Sequence, residues 1–104
     1  MVKVSDLKEY DPADFLETAE DRASFITAAF EDGDPVIIRK ALGAVARSIG
    51  MKDIAEAANL NRESLYRSLG ENGNPELATI LKLMKAMGLT LAANPTDQTL
   101  AKAG

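Results

Sequence analysis

The side chains with the most useful chemistry lie in one short segment, from Arg62 to Arg67. Glu63, Ser64 and Tyr66 stand between the two arginines. A guanidinium can donate to the O6 and N7 acceptors of guanine together, and a carboxylate can accept from cytosine N4. On a helix, Glu63 is also four residues before Arg67, close enough to orient it. The segment therefore offers groups suited to contacting base edges, or it is an ordinary solvated helix face.

The composition argues against catalysis. The sequence has no cysteine and no histidine, which removes thiol nucleophiles, zinc–thiolate sites and the commonest acid–base group at neutral pH. It also has no glycine-rich phosphate loop. We therefore expect no enzymatic activity, no cofactor and no metal site.

The chain length and hydropathy define a simple setting. A chain of 104 residues suits one small domain, whose modest core would benefit from dimerisation. No apolar run approaches the ~18 residues of a membrane span, and the first residues lack the apolar stretch of a signal peptide. We therefore expect a cytoplasmic protein that does not bind membranes.

The segment that surrounds the two arginines predicts two short helices joined by a tight turn, over about residues 51–70. Asn59 stands at the turn, where asparagine tolerates the left-handed conformation. Leu60 would fill the corner, and Asn61 would cap the second helix. Such a pair is a helix-turn-helix, whose second helix can enter the major groove of DNA. The core-facing residues would be Ile54, Ala55 and Ala58 in the first helix and Leu65 and Leu69 in the second.

Apolar residues at three- and four-residue spacing predict further helices on both sides of this unit. Glycines at 33, 50 and 88 mark their ends. The helices are predicted over about residues 12–18, 20–32, 34–50 and 74–88.

Asx–Pro pairs mark the starts of three of these helices, because an Asx side chain caps a helix and proline fits its first turn. Asp11, Asp34 and Asn74 each precede a proline in this way, whereas Asn94–Pro95 predicts a turn.

The C-terminal region is predicted to be less regular. Leu89–Ala93 alternates briefly after Gly88 and predicts a short strand, followed by a flexible tail over residues 94–104. Leu89 and Leu91 are candidates for a homodimer contact, or they complete the monomer core. A homodimer would suit a palindromic DNA site, because one such unit makes few base contacts.

Charge divides the chain unevenly. Residues 1–34 hold ten acids and three bases, a net charge of −7, whereas residues 35–104 carry a net charge of +3. We therefore distinguish an acidic N-terminal helical extension (1–34), a helix-turn-helix domain (35–93) and the tail (94–104). The acidic extension would either attract a basic partner or simply be solvated.

The helix-turn-helix segment resembles the lambda-repressor-like (XRE/Cro) family, in which glycine is usual at the position of Asn59. The resemblance is carried by Ile54–Ala55, the turn residue, Leu65, and Asn72–Pro75 leading into Thr79–Leu83. It implies an all-α bundle in which Arg62, Glu63 and Arg67 match base-contacting positions. The full set of DNA-binding candidates is Lys52, Asn61, Arg62, Glu63, Ser64, Tyr66, Arg67, Asn72 and Asn74.

A second resemblance covers nearly the whole chain. The segments that carry it are Tyr10–Leu16, Glu31–Pro35, Ala41–Arg47, Asn61–Leu69, Gly73–Pro75 and Met87–Leu89. Through these segments the chain resembles the probable addiction-module antidote family of HigA-like antitoxins. That resemblance implies an antitoxin that neutralises a RelE/ParE-like toxin and represses its own operon.

If a toxin partner exists, we expect it to be basic and to meet the acidic extension. Phe15 and Leu16 would anchor it through apolar contacts, or they would dock the first helix on the domain. The toxin-binding candidates are Asp11, Asp14, Phe15, Leu16, Glu17, Glu20 and Asp21.

Three other functions remain open at this stage. The chain could be a stand-alone phage-type repressor without a toxin partner, or a protein-interaction module that keeps the fold without binding DNA. An enzyme is the weakest alternative, given the composition.

Overall fold

The computed structural model describes residues 11–96. The first ten residues of the predicted N-terminal extension and residues 97–104 of the predicted tail lie outside the described part.

Within the described residues, five α-helices follow a short 3-10 helix. The 3-10 helix covers Pro12–Phe15, which is shorter than the helix expected over residues 12–18. The all-helical architecture predicted from the sequence is confirmed. The α-helices are α1 (Ala19–Asp32), α2 (Pro35–Ile49), α3 (Met51–Ala57), α4 (Arg62–Leu69) and α5 (Leu77–Ala86).

Side-chain caps determine where the first helices begin. The Asp11 carboxylate accepts from the Ala13 N–H (3.0 Å), and the Asp34 carboxylate accepts from the Val36 N–H (2.8 Å), as the Asx–Pro pairs predict. Thr18 and Asp21 form a reciprocal capping box at the start of α1.

Helix α2 lies at the centre of the fold. It packs against α1, the 3-10 helix, α3 and α4, and α3 also contacts α5. An unbroken run from Ala41 to Ala46 is buried along α2, because neighbours cover the helix on several sides. Ile26 of α1, Ile54 of α3 and Leu83 of α5 pack into the same core.

Two local expectations are wrong. Asn74 does not cap a helix: α5 begins at Leu77, and its N-cap residue, Glu76, makes no side-chain capping bond. The strand expected over Leu89–Ala93 does not form, because the part of the chain between residues 11 and 96 contains no strand for it to pair with.

The end of α5 explains the position of Leu89. Gly88 adopts φ +77°, its N–H donates to the Lys85 carbonyl (3.0 Å), and the Leu89 N–H donates to the Met84 carbonyl (2.8 Å). This is a Schellman motif, in which the residue after the glycine packs back on the helix. Leu89 is accordingly half-buried against the core.

None of the helices found between residues 11 and 96 has the length and apolar character required to cross a lipid bilayer.

Candidate nucleic-acid interface

The turn between α3 and α4 has the conformation expected from its sequence. Asn59 lies in the left-handed region at φ +55°. Its N–H donates to the Glu56 carbonyl (3.1 Å), and the Leu60 N–H donates to the Ala55 carbonyl (2.8 Å). Together these bonds close α3 with a Schellman motif just before α4 begins.

Helix α4 begins immediately after this turn because Asn61 caps it. The Asn61 side-chain oxygen accepts from the N–H groups of Glu63 (2.8 Å) and Ser64 (3.3 Å). Leu65 is fully buried in the core, and Leu69 is partly buried against it. The cap fixes where the helix starts, and Leu65 fixes which face points inward.

Burial of Leu65 leaves the opposite side of α4 in solvent. Arg62, Glu63 and Arg67 are exposed, and the Tyr66 side chain is 49% exposed. These residues lie on one outward face of a helix preceded by a tight turn. That arrangement allows the face to enter a groove without disturbing the core.

Two contacts on this face bear on the sequence predictions. The Arg62 guanidinium lies over the Tyr66 ring, 5.9 Å from its centroid, within the range of a cation–π interaction. Tyr66 is therefore paired with a surface arginine rather than packed in the core. In the described structure no ion pair joins Glu63 to Arg67, so both side chains present their polar groups outward.

The predicted phosphate-contacting residues surround this face. Lys52 is exposed in the first turn of α3, and Asn61 is exposed at the start of α4. Ser64 is half-buried. Asn72 and Asn74 are exposed in the loop that follows α4, where Asn72 takes φ +67°.

Arg39 and Gly73 hold that loop in place, and neither is among the DNA-binding residues predicted from the sequence. Arg39 of α2 donates from Nη1 to the Gly73 carbonyl (3.2 Å). Gly73 lies so close to the end of α4 that an added Cβ would overlap with the Ser68 carbonyl oxygen. Gly73 lies in one of the segments that carry the antitoxin resemblance. No local sequence pattern, however, could predict its hydrogen bond with Arg39, which lies 34 positions earlier.

The acidic N-terminal residues divide into two groups. Asp11 is bound by Arg47 of α2, through Nη2 to Oδ1 (2.9 Å) and Nε to Oδ2 (3.2 Å), and Asp21 belongs to the capping box of α1. The other predicted toxin-contacting acids are all exposed, and no hydrogen bond or ion pair joins their side chains to other residues between 11 and 96: Asp14, Glu17 and Glu20.

The two apolar toxin-binding candidates, Leu16 and Phe15, differ in their exposure to solvent. Leu16 is only 7% exposed and belongs to the core, which matches the alternative that it docks the N-terminal segment. Phe15 is 62% exposed. Of the two dimer candidates, Leu89 is half-buried at the end of α5 and Leu91 is 39% exposed.

Comparison with known proteins adds independent information. Residues 6–95 match the sequence model of a family described as "Probable addiction module antidote protein". The chain is also 37% identical over 83 residues to an uncharacterized protein of Haemophilus influenzae, and the match covers 80% of this chain and 86% of that protein. No solved structure matches the chain significantly.

Proposed function

This chain belongs to the probable addiction module antidote family, and from that membership we propose that it is the antitoxin of a type II toxin–antitoxin module. In this proposal it neutralises a RelE/ParE-like toxin in the cytoplasm and represses its own operon. The family implies a toxin partner of some kind and a regulatory rather than enzymatic role. The toxin class and the repression of its own operon are what the resemblance of the sequence to HigA-like antitoxins implies. The DNA-contacting residues are inferred from the positions described above.

One observation carries the DNA-binding part of the proposal. Helix α4 is capped by Asn61 and anchored by the buried Leu65, and it presents Arg62, Glu63 and Arg67 to solvent on one face. A guanidinium on such a face suits bidentate contact with guanine, which discriminates against other bases by about 1–3 kcal/mol. We propose that Arg62 and Arg67 contact base edges, with Glu63 and Ser64 beside them.

The remaining candidates would position the protein on the duplex. Lys52, Asn61, Asn72 and Asn74 are proposed to contact phosphates, which determine orientation without specifying sequence. The Tyr66 ring would support the Arg62 guanidinium that lies over it, while the Tyr66 hydroxyl contacts a phosphate of the DNA backbone. A homodimer would place two α4 helices on two half-sites.

The DNA-binding part is tested by titrating the purified protein with its own upstream DNA and with unrelated DNA at several salt concentrations. We expect the Arg62→Ala/Arg67→Ala protein to lose at least about tenfold in specific affinity. The matched control is Lys82→Ala/Lys85→Ala, which removes the same charge from exposed positions of α5. Equal loss in both proteins, or no specific binding by the wild type with or without toxin, would contradict the assignment.

The toxin-binding part rests on the exposed acids of the N-terminal region. Asp14, Glu17 and Glu20 leave a negative surface that would accelerate association with a basic partner. Phe15 provides an exposed apolar side chain beside them.

The matching experiment measures association with the protein encoded by the neighbouring gene. We expect Asp14→Ala/Glu17→Ala/Glu20→Ala to slow association and to weaken its salt dependence. The control protein, Glu56→Ala/Glu71→Ala/Glu76→Ala, removes three exposed acids that lie outside the N-terminal region. Unchanged kinetics in the first protein would reject this surface, and absence of any complex would reject the antitoxin assignment.

A further inference from the structure

Arg39 is a half-buried arginine that has no acidic partner among the residues that the structure describes. Its only hydrogen bond among residues 11–96 runs from Nη1 to the Gly73 carbonyl (3.2 Å), and no carboxylate of the described chain pairs with it. An arginine has five N–H donors, and four of those of Arg39 make no hydrogen bond to the described residues. Because the side chain is only partly buried, these donors can bind an anion that approaches from solvent.

The position of Arg39 indicates which anion it would contact. One helical turn further along α2, Gly43 faces the end of α4: a Cβ added there would be 3.9 Å from the Leu69 carbonyl oxygen. Arg39 and Gly43 therefore follow one ridge of α2 that runs beside the end of α4 and the loop at residues 70–74. The loop carries Asn72 and Asn74, two of the proposed phosphate contacts.

The loop itself is tightly fixed beside Arg39. Gly73 donates its N–H to the Gly70 carbonyl (2.9 Å), and Asn72 adopts φ +67° to close this turn. Gly73 then lies against the Ser68 and Arg67 carbonyls, too close for any side chain. Arg39 thus lies beside a tight turn at the end of the helix that presents Arg62 and Arg67.

We propose that Arg39 is a DNA-binding residue that contacts a phosphodiester of the backbone next to this loop. One guanidinium N–H holds the Gly73 carbonyl, and the others donate to phosphate oxygens, a geometry that suits the planar fork of arginine. The contact extends the DNA interface from α4 to α2. This inference rests on the proposed DNA-binding function.

The salt dependence of DNA binding tests the inference, because each phosphate contact contributes about 0.9 to the slope of log Kobs against log [salt]. Arg39→Gln removes the charge but keeps a donor, and Arg39→Lys keeps the charge. We expect Arg39→Gln to reduce the slope by about 0.9 and to weaken binding to operator and unrelated DNA about equally, by nearly tenfold at 0.1 M salt. We expect Arg39→Lys to keep most of the slope. Lys85→Gln, an equal charge change on α5, is the control and should leave the slope unchanged.

The possible results separate three cases. A wild-type slope for Arg39→Gln would overturn the inference, even if affinity fell, because a residue that only positions the loop does not release counterions. An equal fall in slope for Arg39→Gln and Lys85→Gln would overturn it as well, because the effect would be one of net charge. Absence of DNA binding by the wild-type protein would instead reject the proposed DNA-binding function.

If Arg39→Gln fails to fold, judged by circular dichroism, the wild-type protein provides the second measurement. The Arg39 Nε–H resonance should shift when operator DNA is added, and it should return when salt releases the DNA. An unshifted resonance under saturating DNA would reject the contact.

Discussion

Asp11 and Arg47 join the N-terminal 3-10 helix to α2 through two hydrogen bonds between one carboxylate and one guanidinium, of 2.9 and 3.2 Å. The same carboxylate caps the 3-10 helix by accepting from the Ala13 N–H. The pair therefore fixes the start of the acidic region on the helix that forms the centre of the domain. Both side chains are partly exposed, so we expect a contribution of at most about 1 kcal/mol.

This pair predicts a pH dependence of stability. The hydrogen bond from Arg47, assisted by the one from Ala13, holds the pKa of Asp11 below its ordinary value. At pH values between the pKa of Asp11 in the folded state and its pKa in the unfolded state, the unfolded protein binds more protons. The contribution of the pair to stability is therefore complete above about pH 4, and it is lost as the pH falls through the folded pKa. We expect urea unfolding of Asp11→Asn to show a smaller decline in stability below pH 4 than the wild type. Asp14→Asn, at an exposed acid of the same 3-10 helix, is the control, and identical profiles for wild type and Asp11→Asn would contradict the prediction.

The left-handed conformation of Asn59 predicts an unusual order of substitutions. Glycine adopts φ +55° without steric cost, whereas an alanine Cβ costs about 1–2 kcal/mol there. We expect Asn59→Gly to unfold at a denaturant concentration close to that of the wild type and Asn59→Ala at a clearly lower one. Ala57→Gly, two residues earlier inside α3, provides the opposite control, since glycine should destabilise a helical position. Equal stability of the Asn59→Ala and Asn59→Gly proteins would argue against the turn geometry.

Leu65 and Leu77 allow a matched test of the core. Leu65 is fully buried beneath α4, whereas Leu77 at the start of α5 is 63% exposed. Leu65→Ala and Leu77→Ala remove the same atoms, but only Leu65→Ala leaves a cavity. We therefore expect Leu65→Ala to lower the free energy of unfolding by about 2–5 kcal/mol. Leu77→Ala should change it by no more than about 0.5 kcal/mol. The measurement is chemical denaturation followed by circular dichroism, and similar losses for both variants would mean that α4 is not anchored as described.

Leu91 provides the test of the proposed homodimer. It is exposed beyond the end of α5, while Leu89 packs on its own helix, so a dimer contact in this segment would depend on Leu91. We expect size-exclusion chromatography with light scattering to show a dimer at micromolar concentration for the wild type and a monomer for Leu91→Glu. Ile37→Glu, at an exposed apolar position of α2, should remain dimeric. A monomeric wild type would exclude the dimer, and a dimeric Leu91→Glu would move the contact to another surface.

The sequence predicted the two short helices and the turn between them well because the geometry of this unit depends on neighbouring residues. The Asn59 turn is closed by bonds that span three and five residues, and the Asn61 cap reaches only Glu63 and Ser64. Periodicity then identified Leu65 as the inward position, which is confirmed, and thereby the outward face of α4.

The errors of the sequence analysis occur where the outcome depends on distant parts of the chain. Alternation over Leu89–Ala93 favours a strand, but a strand needs a partner, and none exists among residues 11–96. At Asn74, an Asx–Pro pair is compatible with either a cap or a loop. The chain instead forms the turn fixed by Arg39 and Gly73, so α5 begins later than predicted.

The sequence by itself therefore determined the helical class, the two short helices with their turn and the outward arginines of α4, since short-range hydrogen bonds and apolar periodicity depend on residues a few positions apart. Only the tertiary structure decided that Leu16 is core, that Asp11 belongs to Arg47 and that Arg39 lies beside the loop after α4. Those relationships join residues about 30 or more positions apart, or depend on burial by several helices together. They follow from how the helices pack around α2, which no local pattern encodes.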